Sequence, residues 1–219
     1  MCPNVVSICT QTCWLLGQCD QTFSALDIGA NGRASDSAIF RDSTLNIALE
    51  NNTLGMPEKC VIIGDDAFPL RTNLLKPYSK TGLNNSEIIF NYRLSRARRL
   101  VENVFGILVW WFRIFSKPID LKPETIDKVI YAACSFHNWL RKTNPNTYIP
   151  PQAVDREDLN NGNIISGEWR EHVNSLDSVS QIGSNNNKRA AEEVRSSLAK
   201  YFMEENPLPW QWEKVGITI

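Results

Sequence analysis

The chain has 219 residues, 42% of them hydrophobic and 21% charged, with a formal net charge of -1, the composition of an ordinary globular protein with one main domain and a tail. Asn, Ser, Thr and Gln break every apolar run near the start and the first basic residue is Arg33, which argues against a signal peptide or a membrane span. The six cysteines show no C-x-x-C spacing and have no nearby histidine, so neither a zinc site nor a redox motif is indicated, and free thiols point to a reducing compartment. The small net charge hides a local excess. Residues 71–117 hold nine Lys/Arg against Glu87 and Glu102, while the rest of the chain holds 14 basic against 22 acidic residues. Such a footprint draws phosphate backbones, although a solvated helix face gives the same signal.

In chain order, Val5, Val6 and Ile8 hint at a strand that nothing in the sequence delimits. Trp14–Cys19 and Phe23–Ile28 flank Asp20-Gln21-Thr22 as the arms of a β-hairpin. A glycine-bearing loop, residues 29–33, follows, and Ser35 caps a helix expected from Asp36 to about Glu50. Val61-Ile62-Ile63 is a compact β-branched run ending in Gly64-Asp65-Asp66, the pattern of a strand buried on both faces with acids at its C-terminal end. The same acids also suit a turn or a helix cap. Pro69 and Pro77 are expected to bound a short helix.

Residues 90–115 carry the strongest periodic signal. Val101, Val104, Phe105, Leu108 and Phe112 fall on one helical face, and Asn84, Asn85 and Ser86 offer N-caps upstream. Glu102 lies on the flank of that stripe, with Arg98 one turn before it and Gly106 one turn after. On spacing alone, Glu102 is either an ion-pair partner of Arg98 or a carboxylate aimed at a site. A second helix opens at Pro123, and His137 on its apolar stripe reads as a hydrogen-bonded structural histidine. Residues 143–187 turn polar and Asn-rich, the composition of a linker with little fixed structure. Residues 188–219 form an amphipathic helix and a Trp-bearing tail expected to dock on the domain or on a partner. No repeat or glycine-rich phosphate loop is present.

An acid at a strand end plus a Glu on a neighbouring helix suits Mg2+ or Mn2+, which prefer hard oxygen ligands and leave positions open for water and phosphate. The segments DIGANGRASDSAIF (27–40), IIGDDAFPL (62–70), IFNYRLSRARRLVENVFGIL (89–108), FRIFSKPI (112–119) and YAACSFHNWLR (131–141) together resemble the DDE endonuclease domain of PIF/Harbinger transposases and of nucleases derived from them. The likeness covers residues 14–142. It implies an α/β fold: a ribonuclease H-like mixed sheet flanked by helices, with one metal-binding Asp on the first strand, a second on the fourth and a Glu on a helix alongside. By that likeness Asp65 and Glu102 are the catalytic and metal-binding acids; the local charge excess makes Arg93, Arg96, Arg98 and Arg99 the candidate nucleic-acid face. DNA is the implied substrate, in the nucleus, with a separate DNA-binding protein subunit or an oligomer as further partners and no membrane. The chain departs from the pattern at one place. Its first acid of any kind is Asp20, which matches a turn residue of the family. The expected molecule is therefore a partial domain lacking the first strand, with a partly disordered C-terminal tail. It is either a weakened metal-dependent nuclease or a catalytically inactive module that binds DNA or protein.

Overall fold

In the computed structural model, residues 5–9, 13–17, 21–28, 36–56, 60–117, 119–173 and 189–218 are described. Five strands make one mixed sheet: β1 (Val5–Cys9), β2 (Cys13–Gly17), β3 (Phe23–Ile28), β4 (Val61–Ile63) and β5 (Leu74–Leu75), in the order β3-β2-β1-β4-β5. Strands β1, β2 and β3 form an antiparallel meander, and β4 and β5 run parallel to β1. The hairpin expected from residues 14–28 is thus present. The expectation of a sheet lacking its first strand is corrected: Val5–Cys9 fills the middle of the sheet, pairing Val5 with Val61 and Ser7 with Ile63. A three-residue parallel strand with fully buried Ile62 needs backbone partners on both sides, and β1 supplies one of them. β5 supplies the other, through Ile62 N–H donating to Asn73 O at 2.9 Å and Gly64 N–H donating to Leu75 O at 2.8 Å. The short helix expected between Pro69 and Pro77 is therefore absent. Leu74 and Leu75 are buried as a strand instead.

The helix expected over residues 36–50 is two helices, α1 (Asp36–Arg41) and α2 (Thr44–Glu50). Ser43 separates them because its side chain caps α2, accepting from Asn46 N–H. The long helix α3 (Asn85–Trp111) begins with a full capping box, Asn84 accepting from Glu87 N–H and Glu87 accepting from Asn84 N–H. At 27 residues it runs roughly 40 Å and underlies the whole sheet. Its first half packs Phe90 and Leu94 against Ile63 and Leu75, and its second half packs Val104 and Leu108 against Phe23. The predicted stripe is the buried face. α4 (Pro123–Thr143) starts at Pro123 as expected and closes the second half of α3 with Ala133 and Cys134.

His137 is fully buried, its Nδ1 2.8 Å from Tyr148 Oη and its Nε2 2.8 Å from Gln21 O. Beside it, Asn138 accepts from Phe23 N–H and donates to Phe23 O, both at 2.8 Å. Burial holds the His137 pKa below its ordinary 6.5, outweighing the bond to Gln21 O, with Arg141 adding repulsion. Between the folded and unfolded pKa values the unfolded chain binds the extra proton. The His137 contribution is thus fully present above about pH 6.5 and is lost as pH falls below it, by at most ~1.4 kcal/mol per pH unit. Urea midpoints of the parent and of His137→Gln, compared at pH 7.5 and pH 5.5, should converge at the acid end; a gap independent of pH would contradict this.

Residues 144–173 do not behave as the linker their composition suggests. They form α5 (Pro145–Tyr148), a 3-10 turn at Pro151–Ala153, the hairpin β6 (Arg156–Glu157) and β7 (Ile164–Ile165), and α6 (Trp169–His172). Tyr148, Ile149, Ala153 and Trp169 are buried with Ile107 of α3. Long-range packing overrides polar local composition here; residues 174–188 lie outside the described set. α7 (Arg189–Glu204) packs Ala191 and Ala199 on the first half of α3. α8 (Gln211–Lys214) follows, and the tail does dock, with Trp210 7% and Gln211 0% exposed.

Candidate active site

Gly64 follows β4 where the chain doubles back over Phe68. A Cβ on Gly64 would lie 2.8 Å from the Phe68 ring, so glycine is required for the close approach. The turn this permits is closed by Asp65, whose Oδ1 accepts from Ala67 N–H at 2.9 Å and whose O accepts from Phe68 N–H at 3.3 Å. Next to it, Asp66 Oδ1 lies 3.3 Å from Nζ of Lys76, a side chain only 3% exposed at the end of β5. Lys76 also donates to Asp66 O at 3.2 Å. Asp65 thus emerges where the sequence places it, but it performs the turn-capping role, and a buried ammonium is its neighbour's partner.

Glu102 sits on the outer flank of α3, its side chain 49% exposed. Its cationic partner is not Arg98 but Arg170, with Nη2 3.6 Å from Oε2. Arg170 is itself fixed: Nε donates to Asp155 Oδ1 at 2.9 Å and to Oδ2 at 3.0 Å, and the guanidinium lies 4.3 Å over the Trp169 ring. The Asp155 carboxylate is fully buried and also accepts from Gly167 N–H at 2.8 Å. The bond to Asp155 raises the Arg170 pKa above its ordinary value, against the opposing effect of burial, with the charges of Asp155 and Glu102 adding to it. Asn103, 1% exposed and next to Glu102, ties the same segment down: Oδ1 accepts from Asp155 N–H and Trp169 Nε1–H, both at 2.9 Å, and Nδ2 donates to Asp155 O at 3.2 Å. Asp155 and Arg170 were not singled out in the sequence, since both fall in the stretch read as a linker. The lone Trp169 in that polar stretch was the available signal.

The first strand supplies no acid. β1 reads VVSIC, and its last registered pair with β4 is Ser7 with Ile63, so Cys9 and Asp65 each stand two residues past that pair. Among the described residues no group of three or more His, Cys, Asp or Glu gathers to hold a metal ion. Divalent ions of the Mg2+ type need several hard oxygen ligands, and here one of the two expected acids closes a turn while the other faces a guanidinium. The described residues do not fit such an ion.

The arginine cluster divides in two. Arg93 Nη1 donates to Asn206 O at 3.2 Å and its guanidinium lies 4.6 Å over Phe202 of α7. Arg96 Nε forks onto Glu157 at 2.8 and 2.9 Å. Both fasten C-terminal segments to α3. Arg98 and Arg99 stay partly exposed and make no ion pair among the described residues.

A mixed α/β domain, with an acid after its fourth strand and a glutamate on the helix that crosses the sheet, is the class this architecture defines. The family model described as DDE superfamily endonuclease matches residues 10–138, more than half of the chain, and the protein belongs to that family. No curated protein and no solved structure matches it. The superfamily typically works with divalent metals, and among the described residues of this chain no metal-binding group is gathered.

Proposed function

We propose that this chain is a transposase-derived domain of the PIF/Harbinger kind, with a ribonuclease H-like fold, that engages DNA in the nucleus without cutting it. The observation that carries this reading is the occupation of Glu102 by Arg170, which is in turn anchored on the buried carboxylate of Asp155. A cation fixed beside the glutamate removes the need for a metal and competes with one electrostatically. The placement of β1 beside and parallel to β4, with α3 packed alongside, supports the ribonuclease H-like reading, and the absence of an acid from VVSIC supports loss of cleavage. Positioning both ions is most of the catalysis in two-metal phosphodiester cleavage, so one acid engaged in closing a turn and another engaged by a guanidinium leave little of it.

Arg98 and Arg99 are the cations of the cluster left to meet phosphates, and a separate DNA-binding subunit would supply the choice of target. The test is incubation of the full chain with labelled duplex DNA in Mn2+ or Mg2+, beside Asp65→Ala and Glu102→Ala. Equal, blank-level cleavage by all three proteins is expected. Cleavage by the parent that is lost in either variant would establish an active metal nuclease instead. Retention of the same duplex should fall with salt, by a logarithmic slope of about 0.9 for each phosphate neutralised, and should weaken in Arg98→Ala/Arg99→Ala.

A further inference from the structure

α4 turns one face toward α3 and leaves the opposite face uncovered. At 100° per residue Lys128, Tyr131, Ser135, Trp139 and Lys142 share that outer face, with Phe136 on its border. Tyr131 is 47%, Phe136 51% and Trp139 53% exposed. Phe136 and Trp139 are the contacting pair, and Tyr131 shares the outer face about two turns before Trp139. Phe136 stacks on Trp139 with centroids 5.4 Å apart and meets Phe112 edge-on at 6.4 Å, which extends the patch to the end of α3. Ile114 and Leu121, in the connection between α3 and α4, are also 43% and 45% exposed. Single exposed apolar residues are ordinary, but a contiguous aromatic patch marks an interaction site. Its surroundings are basic: residues 111–143 hold six Lys/Arg against three Asp/Glu, and Lys128 and Lys142 bracket the rings ~21 Å apart along the helix.

We propose that this face docks an amphipathic helix of another protein, one whose aliphatic stripe is flanked by acidic residues. Trp and Tyr are the residue types that concentrate binding energy at protein interfaces, and a charged rim selects a partner of opposite sign. A second copy of this chain fits poorly. Antiparallel pairing of two α4 helices would set Lys128 against Lys142, and parallel pairing would set each lysine against itself. Single-stranded nucleic acid fits less well too, because bases need open ring faces. Here Phe136 and Trp139 already stack on each other, so each has one ring face taken. The inference does not depend on whether the domain cuts DNA.

Two synthetic helical peptides carrying the same Leu residues at i, i+3, i+4 and i+7, one flanked by Glu and the other by Lys, test it by fluorescence anisotropy against the full chain. The Glu-flanked peptide should bind at least tenfold more tightly. Trp139→Ser should weaken that binding at least tenfold, and Lys128→Glu/Lys142→Glu should reverse the preference. All three side chains are exposed, so these variants should melt with the parent, and Phe136→Ser provides a second probe of the same surface. Equal binding of the two peptides, or binding of neither, overturns the proposal. So does a labelled dT oligonucleotide whose binding is lost in Trp139→Ser, which would make the face a nucleic-acid platform. Sedimentation showing a dimer that Trp139→Ser dissolves would assign the face to a second copy.

Discussion

Asn103→Ala should lower the melting temperature by roughly 10 °C, because one side chain satisfies three polar groups within the fold. Asp155 N–H, Asp155 O and Trp169 Nε1–H all bond to Asn103, and Asp155 and Trp169 are 7% and 8% exposed. An orphaned buried group costs about 1–3 kcal/mol, and three linked ones together cost on the order of 3–5 kcal/mol, since losses in one network do not add fully. A chain of this size loses about 2–4 °C per kcal/mol. The loss should be local first. Hydrogen exchange at the Asp155 amide should approach that of an exposed loop while α7 and β4 stay protected. Asn103→Asp keeps the acceptor but loses the donor, and it should fall between parent and alanine. A melt within ~2 °C of the parent would show that water replaces the amide and that the 145–173 segment is held by other contacts.

Gly106→Ala should also destabilise, although alanine is the better helix former by about 1 kcal/mol. A Cβ at position 106 would lie 2.2 Å from Cδ2 and Cε3 of the Trp169 ring, far inside contact distance. The ring cannot move freely, because its Nε1–H bonds Asn103 and its face supports the Arg170 guanidinium. Overpacking of this kind costs typically 1–3 kcal/mol and exceeds the propensity gain. The more telling readout is tryptophan emission, which should shift as Trp169 is pushed from its bond to Asn103 and from beneath the Arg170 guanidinium, while the bonds to Asp155 keep Arg170 beside Glu102. Unchanged emission and stability would mean that the ring has room that the packing denies.

The parts of this molecule legible in the sequence are those whose signal is local and long. α3 is readable because an apolar stripe at helical period runs from Val101 to Phe112 and N-cap residues stand upstream at Asn84, Asn85 and Ser86. Gly64-Asp65 was readable because a β-branched run before a glycine has few other uses. What stayed hidden is short or non-local. β5 is two residues long, and β1 carries no turn marker on either side. The order of residues 145–173 depends on Asn103 bonds that span 52 and 66 residues, which no window of composition contains. The partner of Glu102 stayed hidden for the same reason: helix spacing offers Arg98 as one of two readings, while Arg170 arrives from a distant segment whose own carboxylate holds it in place.

The paired bonds between Asn138 and Phe23 bear on what the edge of the sheet offers to another strand. β3 is the outermost strand on its side of the sheet, and Phe23 offers its N–H and C=O outward. In an antiparallel ladder a neighbouring strand exchanges both of those bonds with a single residue, and the Asn138 carboxamide makes the same two bonds with a side chain. The margin of the sheet is thereby closed at its first residue by a helix that cannot lengthen into a strand. Asn138→Leu should leave the chain folded but open that margin to edge-to-edge association, appearing as light scattering that grows with protein concentration.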